Sequence, residues 1–274
     1  MQELTGDAGE AAIAKTRRAG VFCIANQKGG VGKTTTTVNL SAGLAKLDQR
    51  VLLVDLDPQG NATMGSGVDK RGLSLSVYDV LLETATIAEA RQRSEVGGYD
   101  VLGANRELAG AEIELVGLER RDQRLRGALV AAASDYDFVI VDCPPSLSLL
   151  TLNGLCGAHG VIVPMQCEYF ALEGLTDLVN TIRQVHANLN PELQVIGLLR
   201  VMFDPRITLQ QQVSEQLKSH FGDKVFDAVI PRNVRLAEAP SYGQPGVVFD
   251  PSSRGAQAYL EFAREMVRRV QQLA

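Results

Sequence analysis

The sequence predicts an α/β fold, namely a single doubly wound, mostly parallel sheet flanked by helices. Short apolar runs alternate with segments of helical periodicity along most of the 274 residues. These runs are continuously apolar, which is typical of strands covered on both faces, as in a parallel sheet. No Pro- or Ser-rich linker interrupts the series. We therefore expect one domain, because a chain of this length can bury one sizeable core.

The apolar runs locate the strands, and the segments between them locate the helices. In chain order, strands are predicted at 21–25, 51–55, 99–104, 138–142, 160–165, 195–203 and 225–231. Helices are predicted at 33–47, 107–133, 172–188, 208–220 and 253–272. A strand, a crossover helix and a second parallel strand form one βαβ unit, so the alternation predicts a series of such units.

Residues 1–19 differ from everything that follows them. They are polar and small, and they show no sustained period. Such a segment cannot bury enough apolar surface to fold by itself. We therefore expect a flexible N-terminal tail, followed by one domain over residues 20–274.

The charge of the chain is mildly acidic and unevenly distributed. The 27 Lys+Arg and 32 Asp+Glu residues give a net charge of −5, which is not typical of a protein that coats nucleic acid. Residues 200–274 nevertheless hold ten basic and eight acidic side chains, whereas residues 1–199 hold 17 and 24. Any surface for an anionic polymer is therefore expected in the last third.

The cysteines indicate a reducing compartment. Cys23, Cys143, Cys156 and Cys167 form no C-x-x-C pair, and the three histidines show no ligand spacing. We expect buried thiols rather than a disulfide framework or a metal cluster. No apolar run approaches the roughly 18 residues of a membrane span, and no signal-peptide core is present. These features predict a cytoplasmic protein without membrane attachment.

The segment 26–35 (NQKGGVGKTT) predicts a phosphate-binding loop. Its end fits the pattern G-x-x-x-x-G-K-[ST] at Gly32, Lys33 and Thr34, although Gln27 stands where the first glycine is expected. The loop follows a predicted strand and opens a predicted helix, so backbone N–H groups and the helix dipole would face the phosphates. Lys33 would reach the β- and γ-phosphates, and the Thr34 hydroxyl would coordinate Mg²⁺. A glycine-rich turn that merely joins two elements would explain neither residue.

Two predicted strands end in carboxylates. Asp142 closes one strand, and Asp55 closes another and is followed two residues later by Asp57. In open α/β sheets ligands bind at the carboxyl ends of the strands, so Asp142 is expected to hold a water on Mg²⁺. Asp55 and Asp57 would point to the same side, towards the γ-phosphate region. Alternatively, one or both cap the following turn, where Asp is common.

Taken together, these motifs resemble a known family. KGGVGKTTT, VDLDPQGNAT and VDCPPS look like the motifs of the deviant Walker A superfamily of P-loop ATPases. The further runs QCEYFALEGL (166–175) and IPRNVRLAEAPSYGQP (230–245) resemble the ParA/Soj type, which partitions chromosomes or plasmids. The resemblance spans about residues 20–270.

The resemblance implies an ATPase with ATP and Mg²⁺ as cofactors, and it assigns roles to individual residues. The nucleotide contacts fall on Lys28, Gly29, Gly30, Val31, Gly32, Lys33, Thr34, Thr35, Pro231 and Asn233, with the last two at the adenine. The Mg²⁺ residues are Thr34, Asp55 and Asp142. The catalytic residues are Lys28, Lys33 and Asp57, of which Asp57 positions the attacking water.

The same resemblance answers why the loop has a second lysine. In that family two ATP-bound protomers form a sandwich dimer, and Lys28 would reach the phosphates of the partner, as an arginine finger does. Gly29 and Gly30 would then allow two backbones to approach closely. The family also binds DNA without sequence preference and is stimulated by a ParB-type centromere-binding protein, which implies a nucleoid-associated protein.

The DNA contacts of the family match Arg206 and Arg235 best and Arg254 less closely. Arg232 lies near enough to the nucleotide loop to serve there instead. For any one of these arginines taken alone, a solvated surface charge or an ion pair is the favoured interpretation.

Three relatives of other function are alternatives. A MinD-type membrane ATPase would need a free amphipathic helix. The last predicted helix does have an apolar stripe, which we expect to pack on the sheet: Tyr259, Phe262, Ala263, Met266, Val267 and Val270. A redox protein like the nitrogenase iron protein would need a cluster-sharing cysteine pair, and Cys143 and Cys156 do not match its positions. A metabolic amidoligase would need a substrate domain, which no segment suggests.

Overall fold

A computed structural model describes residues 20–169 and 171–273 of the chain. The strands are β1 (Gly20–Ile24), β2 (Val51–Asp55), β3 (Gln92–Ser94), β4 (Tyr99–Leu102), β5 (Phe138–Asp142), β6 (Gly160–Met165), β7 (Gln194–Phe203) and β8 (Val225–Pro231). They form one sheet in the order β3-β4-β2-β5-β1-β6-β7-β8, in which only the β3–β4 pair is antiparallel. The predicted fold class is therefore confirmed, whereas the predicted tail at 1–19 lies outside the described residues.

Helices cover both faces of the sheet. They are α1 (Lys33–Ala45), α2 (Asn61–Gly65), α3 (Val77–Leu81), α4 (Ile87–Ala90), α5 (Leu108–Val116), α6 (Arg124–Ala132), α7 (Leu149–Gly157), α8 (Ala171–Asn188), α9 (Thr208–Phe221), α10 (Val234–Glu238), α11 (Gly246–Phe249) and α12 (Arg254–Leu273). Two short 3₁₀ turns lie at Gly222–Lys224 and Ala239–Tyr242.

The helix predicted at 107–133 is wrong as a single element. It is divided into α5 and α6, because α5 ends before Gly117 and Arg120 takes a left-handed φ of 50°. The sequence prediction also missed α7, whose sequence LLTLNGLCG is apolar on most sides and shows no amphipathic period. Strand β3 was missed because it has only three residues, two of them exposed.

The core lies in two layers, one on each face of the sheet. Alternate side chains of β1 enter opposite layers, with Cys23 on one face and Phe22 and Ile24 on the other. Every residue of β2 and β5 is buried, as expected for central strands of a parallel sheet.

Helix α12 covers one face with the stripe that the sequence predicts. Tyr259, Phe262, Ala263 and Met266 are buried, and Val267 and Val270 pack against them. The expected packing on the sheet is therefore confirmed, and the stripe is engaged within the fold.

The pairing of β7 with β8 is irregular. Leu198 pairs with Val225, whereas Arg200 pairs with Val229, so β8 carries two extra residues in this interval. Such a bulge leaves backbone groups without a ladder partner.

Two buried charges satisfy this bulge. Arg200, only 4% exposed, donates from Nη2 to the carbonyl oxygens of Phe226 and Asp227. On the other side, the Glu265 carboxylate of α12 accepts hydrogen bonds of 2.9 Å from the backbone N–H groups of Asp227 and Ala228. The two charges therefore fix the course of β8, which leads directly to the loop after Pro231.

The four cysteines are free and buried, as predicted. Within residues 20–169 and 171–273, His, Cys, Asp and Glu side chains form no group of three that could hold a metal ion. None of the helices in this part of the chain combines the length and the apolar character needed to cross a membrane.

Candidate nucleotide and nucleic-acid site

The carboxyl ends of β1, β2 and β5 meet at the middle of the sheet. Asp55 and Asp142 are directly opposite each other in the β2–β5 register, and Ile24 is opposite Asp142 on the other side. The chain leaves β1 and crosses to β2 on one side, whereas β6 lies on its other side. This is a topological switch point, where open α/β sheets bind their ligands.

The loop between β1 and α1 has the backbone of an anion cradle. Gly30 and Gly32 have φ values of 73° and 77°, which favour glycine, and Gly32 caps α1 without a side chain. The first turn of α1 contains no acidic residue. The free N–H groups at this helix start are therefore available to an anion.

The two lysines of the loop occupy different places. Lys33 is 7% exposed, and its Nζ donates a hydrogen bond of 3.1 Å to the carbonyl oxygen of Lys28. Burial lowers the pKa of Lys33, which the negative charge of Asp142 opposes. The side chain of Lys28, in contrast, is 54% exposed and forms an ion pair with Glu168. Lys33 thus lies inside the loop, and the ammonium of Lys28 lies outside it.

Asp142 is buried beneath the start of α1. Its Oδ2 accepts a hydrogen bond of 2.8 Å from the Thr34 hydroxyl, and its Oδ1 accepts one of 2.9 Å from Thr37. Burial, together with the nearby carboxylate of Asp55, raises the pKa of Asp142. The two carboxylates and the Thr34 hydroxyl form a group of oxygen atoms at the mouth of the phosphate loop.

Asp55 and Asp57 differ more than the sequence pattern suggests. Asp55 is fully buried, and its oxygens accept hydrogen bonds from the Thr63 N–H and hydroxyl and from the Asp57 N–H, at 2.9, 2.7 and 3.1 Å. Asp57 is half-buried, and its Oδ1 accepts from the Gln59 N–H at 2.9 Å. Both residues therefore cap the turn after β2, while only Asp57 keeps a partly exposed carboxylate.

Pro231 and Asn233 border a small cleft beside the phosphate loop. Pro231 ends β8, and the Asn233 side chain caps α10 by accepting from the Leu236 N–H at 3.3 Å. The cleft has a volume of about 150 Å³, and its walls include Gly32, Thr35 and Met202. Since Gly32 and Thr35 belong to its walls, the cleft lies next to the first turn of α1.

The three arginines expected to contact DNA lie near this same end of the sheet. Arg206 follows β7, Arg235 is in α10, and Arg254 begins α12; all three are exposed. The ends of β7 and β8 are adjacent, because Phe203 pairs with Pro231.

Two of these arginines are held by acidic neighbours. Arg206 pairs with Asp204 at 2.7 Å, and its hydrogen bonds lower the pKa of Asp204 to about 2. Arg235 pairs with Glu238 at 2.9 Å and with Asp250 at 3.5 Å. Their guanidinium groups are thus oriented, yet exposed enough to meet a phosphate.

Sequence reasoning missed two residues that shape the site, Thr37 and Glu168. Thr37 was detectable, since it lies one helical turn after Thr34 and therefore on the same face of α1. Glu168 was not, because nothing in its local sequence connects it with Lys28, 140 residues earlier.

Comparison with known proteins identifies the family. A family model described as an AAA domain matches residues 19–195. The sporulation initiation inhibitor protein Soj of Bacillus subtilis is 52% identical over 246 residues, which are 90% of this chain and 97% of that protein. The chromosome partitioning protein ParA of Caulobacter vibrioides is 51% identical over 251 residues, 91% of this chain and 94% of that protein.

A solved structure shares the whole fold. It is described as cobyrinic acid a,c-diamide synthase from Mycobacterium smegmatis with bound ADP and magnesium. Its chain is 40% identical to this one, with a TM-score of 0.82 over 93% of this chain and 97% of that chain. The higher identity of Soj and ParA decides the assignment. The chain belongs to the ParA/Soj family of chromosome-partitioning ATPases.

Proposed function

We propose that this ATPase acts in DNA partition as a switch. The ATP-bound form is a sandwich dimer that binds double-stranded DNA without sequence preference, and a ParB-type centromere-binding protein releases it by stimulating hydrolysis. The observation that carries this proposal is the separation of the two loop lysines, with Lys33 buried inside the loop and Lys28 half-exposed outside it.

The residues present fit ATP. The turned backbone at Gly30 and Gly32 offers N–H groups to phosphate oxygens, and Lys33 supplies the cation beside them. The cleft beside Pro231 and Asn233 also has Gly32 and Thr35 in its walls, so it adjoins the loop on the side where we place the nucleoside.

The donor set also fits Mg²⁺. Hard oxygen ligands from Thr34 and Asp142 lie within 2.8 Å of each other, and Mg²⁺ is held in proteins by such oxygens together with phosphates and waters. Asp55 belongs to this group through its charge, since three of its roughly four lone-pair sites are already in use. When bound, Mg²⁺ neutralises charge on the transferred phosphoryl group.

Lys28 and Gly29 support dimerisation. The Lys28 ammonium is free to leave the loop surface, where it could stabilise charge developing on the phosphates of a second protomer. An added Cβ on Gly29 would meet nothing within 4 Å, and its φ is not positive. Nothing inside the protomer therefore requires glycine at this position, which is consistent with a close approach from outside.

Asp57 is the proposed catalytic carboxylate. It is the only one of the site's three carboxylates that is not fully buried. From the turn after β2 it can orient an attacking water in line with the γ-phosphate, as the corresponding groups of other phosphoryl-transfer sites do.

Arg206, Arg235 and Arg254 form the proposed DNA face. Each neutralised phosphate adds about −0.9 to the slope of log K against log salt, so one protomer with few contacts binds weakly. A dimer doubles the contacts on one body, and the second set binds at high effective concentration. ATP would thereby control DNA affinity, and thus nucleoid association, by controlling dimerisation.

To test this, the molar mass of the protein is measured by light scattering with ATPγS, with ADP and without nucleotide. DNA binding is measured under the same three conditions. We expect dimers and DNA binding only with ATPγS. A second experiment adds the partner encoded by the adjacent gene and measures ATP hydrolysis with and without DNA. A chain that stays monomeric with ATPγS, or that binds DNA equally with ADP, would contradict the proposal.

The alternatives are tested in the same way. The membrane-associated alternative is disfavoured because the apolar stripe of α12 is buried in the core. The amidoligase alternative is supported by the similarity of this chain to the Mycobacterium smegmatis structure, which is described as cobyrinic acid a,c-diamide synthase. It predicts ATP consumption that depends on a small acid and an amide donor, and that does not respond to DNA.

A further inference from the structure

The segment after β6 makes two contacts with the phosphate loop. The Gln166 side chain donates from Nε2 to the Gly30 carbonyl oxygen at 3.2 Å and to the Met202 sulfur at 3.0 Å. Two residues later, the Glu168 carboxylate pairs with the Lys28 ammonium. The first contact fixes the segment against the loop, and the second engages the lysine that lies outside it.

The backbone of Lys28 is fixed independently of its side chain. Its N–H donates to the Asn26 side chain at 3.0 Å, and its carbonyl oxygen accepts from Lys33. The ammonium can therefore leave Glu168 by rotation about side-chain bonds, without any change in the cradle that the loop forms.

Met202 supplies a second sign of a constrained arrangement. Its φ of 52° is uncommon for a residue other than glycine, and it lies at an irregularity of the β7–β8 pairing. Its side chain borders the cleft beside Pro231 and is a hydrogen-bond acceptor for Gln166. Bulges of this kind re-aim a side chain, and here the re-aimed side chain holds the segment that carries Glu168.

We propose that Glu168 is a positioning residue that holds Lys28 on its own protomer and gives it up only when the phosphates of a second protomer arrive. This inference rests on the proposed ATP-dependent dimer. A triphosphate carries several negative charges and is a stronger partner for an ammonium than one carboxylate. Glu168 thus sets how readily ATP-bound protomers dimerise, and it gives a role to the run 166–175 that the nucleotide contacts leave unexplained.

The exposure of the Lys28–Glu168 ion pair is compatible with this exchange of partners. The side chains of Lys28 and Glu168 are 54% and 46% exposed, so the pair is weak enough to exchange. An exposed ion pair shifts an equilibrium by about 1.5- to fivefold, and a dimer releases two of them. Removing Glu168 should therefore raise the dimerisation constant by about two- to 25-fold.

The experiment compares Glu168→Gln and Glu168→Asp with the wild type and with Glu83→Gln. Glu83 also pairs through an exposed carboxylate, with Arg124, but far from the phosphate loop, so it controls for the change in net charge. Dimerisation is measured by light scattering against protein concentration at saturating ATPγS, and ADP affinity of the monomer is measured alongside.

We expect the dimerisation constant of Glu168→Gln to be about two- to 25-fold higher than that of the wild type, with the ADP affinity unchanged. Glu168→Asp should fall between this variant and the wild type, and Glu83→Gln should match the wild type. A Glu168→Gln variant that dimerises no better than the wild type would contradict the proposed role of Glu168. It would leave the proposal of an ATP-dependent dimer standing. If neither chain dimerises with ATPγS, the proposed dimer fails as well.

Discussion

The Thr34 hydroxyl donates a hydrogen bond of 2.8 Å to Oδ2 of Asp142, which lies 108 residues later in the chain. The same carboxylate accepts a second hydroxyl from Thr37 at Oδ1. The two threonines are neighbours on one face of α1, but Thr37 is fully buried whereas Thr34 is partly exposed at the mouth of the loop. One oxygen of the Asp142 carboxylate is thus bonded to a threonine in the core, and the other is bonded to a threonine at the mouth of the loop.

This difference gives the first prediction. Thr34→Val should weaken Mg²⁺-dependent ATP binding at least tenfold, because it removes a proposed ligand. Thr37→Val should instead lower the free energy of unfolding by about 1–3 kcal/mol, because it leaves a buried carboxylate oxygen without a donor. Mg²⁺ titrations of nucleotide binding and urea unfolding separate the two effects. Equal loss of Mg²⁺ dependence in both variants would contradict the assignment.

The second prediction concerns Gly29. Since a side chain at this position meets nothing in its own protomer, Gly29→Val should fold and bind ATP with near-normal affinity. It should nevertheless remain monomeric, because the branched Cβ blocks a second backbone. Light scattering with ATPγS is the measurement, and Gly29→Ala is the graded control. Normal dimers of the valine variant would show that the glycine serves the phosphate turn alone.

The third prediction separates the two loop lysines. Lys28→Ala should abolish ATP-dependent dimers and hydrolysis while the monomer still binds nucleotide, because its ammonium lies outside the loop. Lys33→Ala should lose nucleotide binding itself, since Lys33 is the buried cation of the cradle. Fluorescent-nucleotide titration and light scattering distinguish these outcomes. Undiminished dimerisation of Lys28→Ala would remove the lysine from its role in the partner's site.

The fourth prediction concerns stability. Glu265 is buried and bridges the β8 bulge to Arg269 of α12, with which it pairs at 2.9 Å. Glu265→Ala should lower the free energy of unfolding by about 1–3 kcal/mol, because it leaves two backbone N–H groups of β8 without their acceptor and removes one partner of the half-buried Arg269 guanidinium. The control is Glu261→Ala, because Glu261 is exposed and lies one turn earlier on α12. This variant should change the free energy of unfolding by less than about 0.5 kcal/mol.

The fold was predictable from sequence because its dominant signals are local. Seven of the strands appear as continuous apolar runs, and the strand–loop–helix around Lys33 follows from glycine and lysine spacing alone. Strand β3 has no such signal, since it is short and polar, and its pairing with β4 is decided by the chain reversal between them. The break between α5 and α6 was also hidden, because both halves favour helix.

The site was predictable only in part, for a different reason. The carboxyl ends of parallel strands must converge, so the proximity of Asp55 and Asp142 follows from strand assignment. Pairs such as Lys28 with Glu168 depend on which loops pack together, and no periodicity encodes that contact. The two hydrogen bonds from Thr63 to the Asp55 carboxylate were hidden for the same reason, since they depend on how the turn after β2 folds back.

The last prediction joins hydrolysis to DNA binding through Asp57 and Arg235. Asp57→Ala should bind ATP but hydrolyse it slowly, and it should therefore accumulate as a dimer on DNA. In that background, Arg235→Gln removes one exposed guanidinium from each protomer without altering the nucleotide site. Because two phosphate contacts are lost per dimer, the slope of log K against log salt should become shallower by about 1.8.

Arg93 provides the matched control for this measurement, because it lies at the opposite edge of the sheet, pairs with Asp100 and has a side-chain exposure of 52%, close to the 55% of Arg235. Arg93→Gln should leave the slope unchanged in the same Asp57→Ala background. Normal hydrolysis by Asp57→Ala would contradict the catalytic assignment of Asp57. An unchanged slope for Arg235→Gln would place the DNA face elsewhere, because a guanidinium that neutralises a phosphate cannot be removed without altering the number of counterions released.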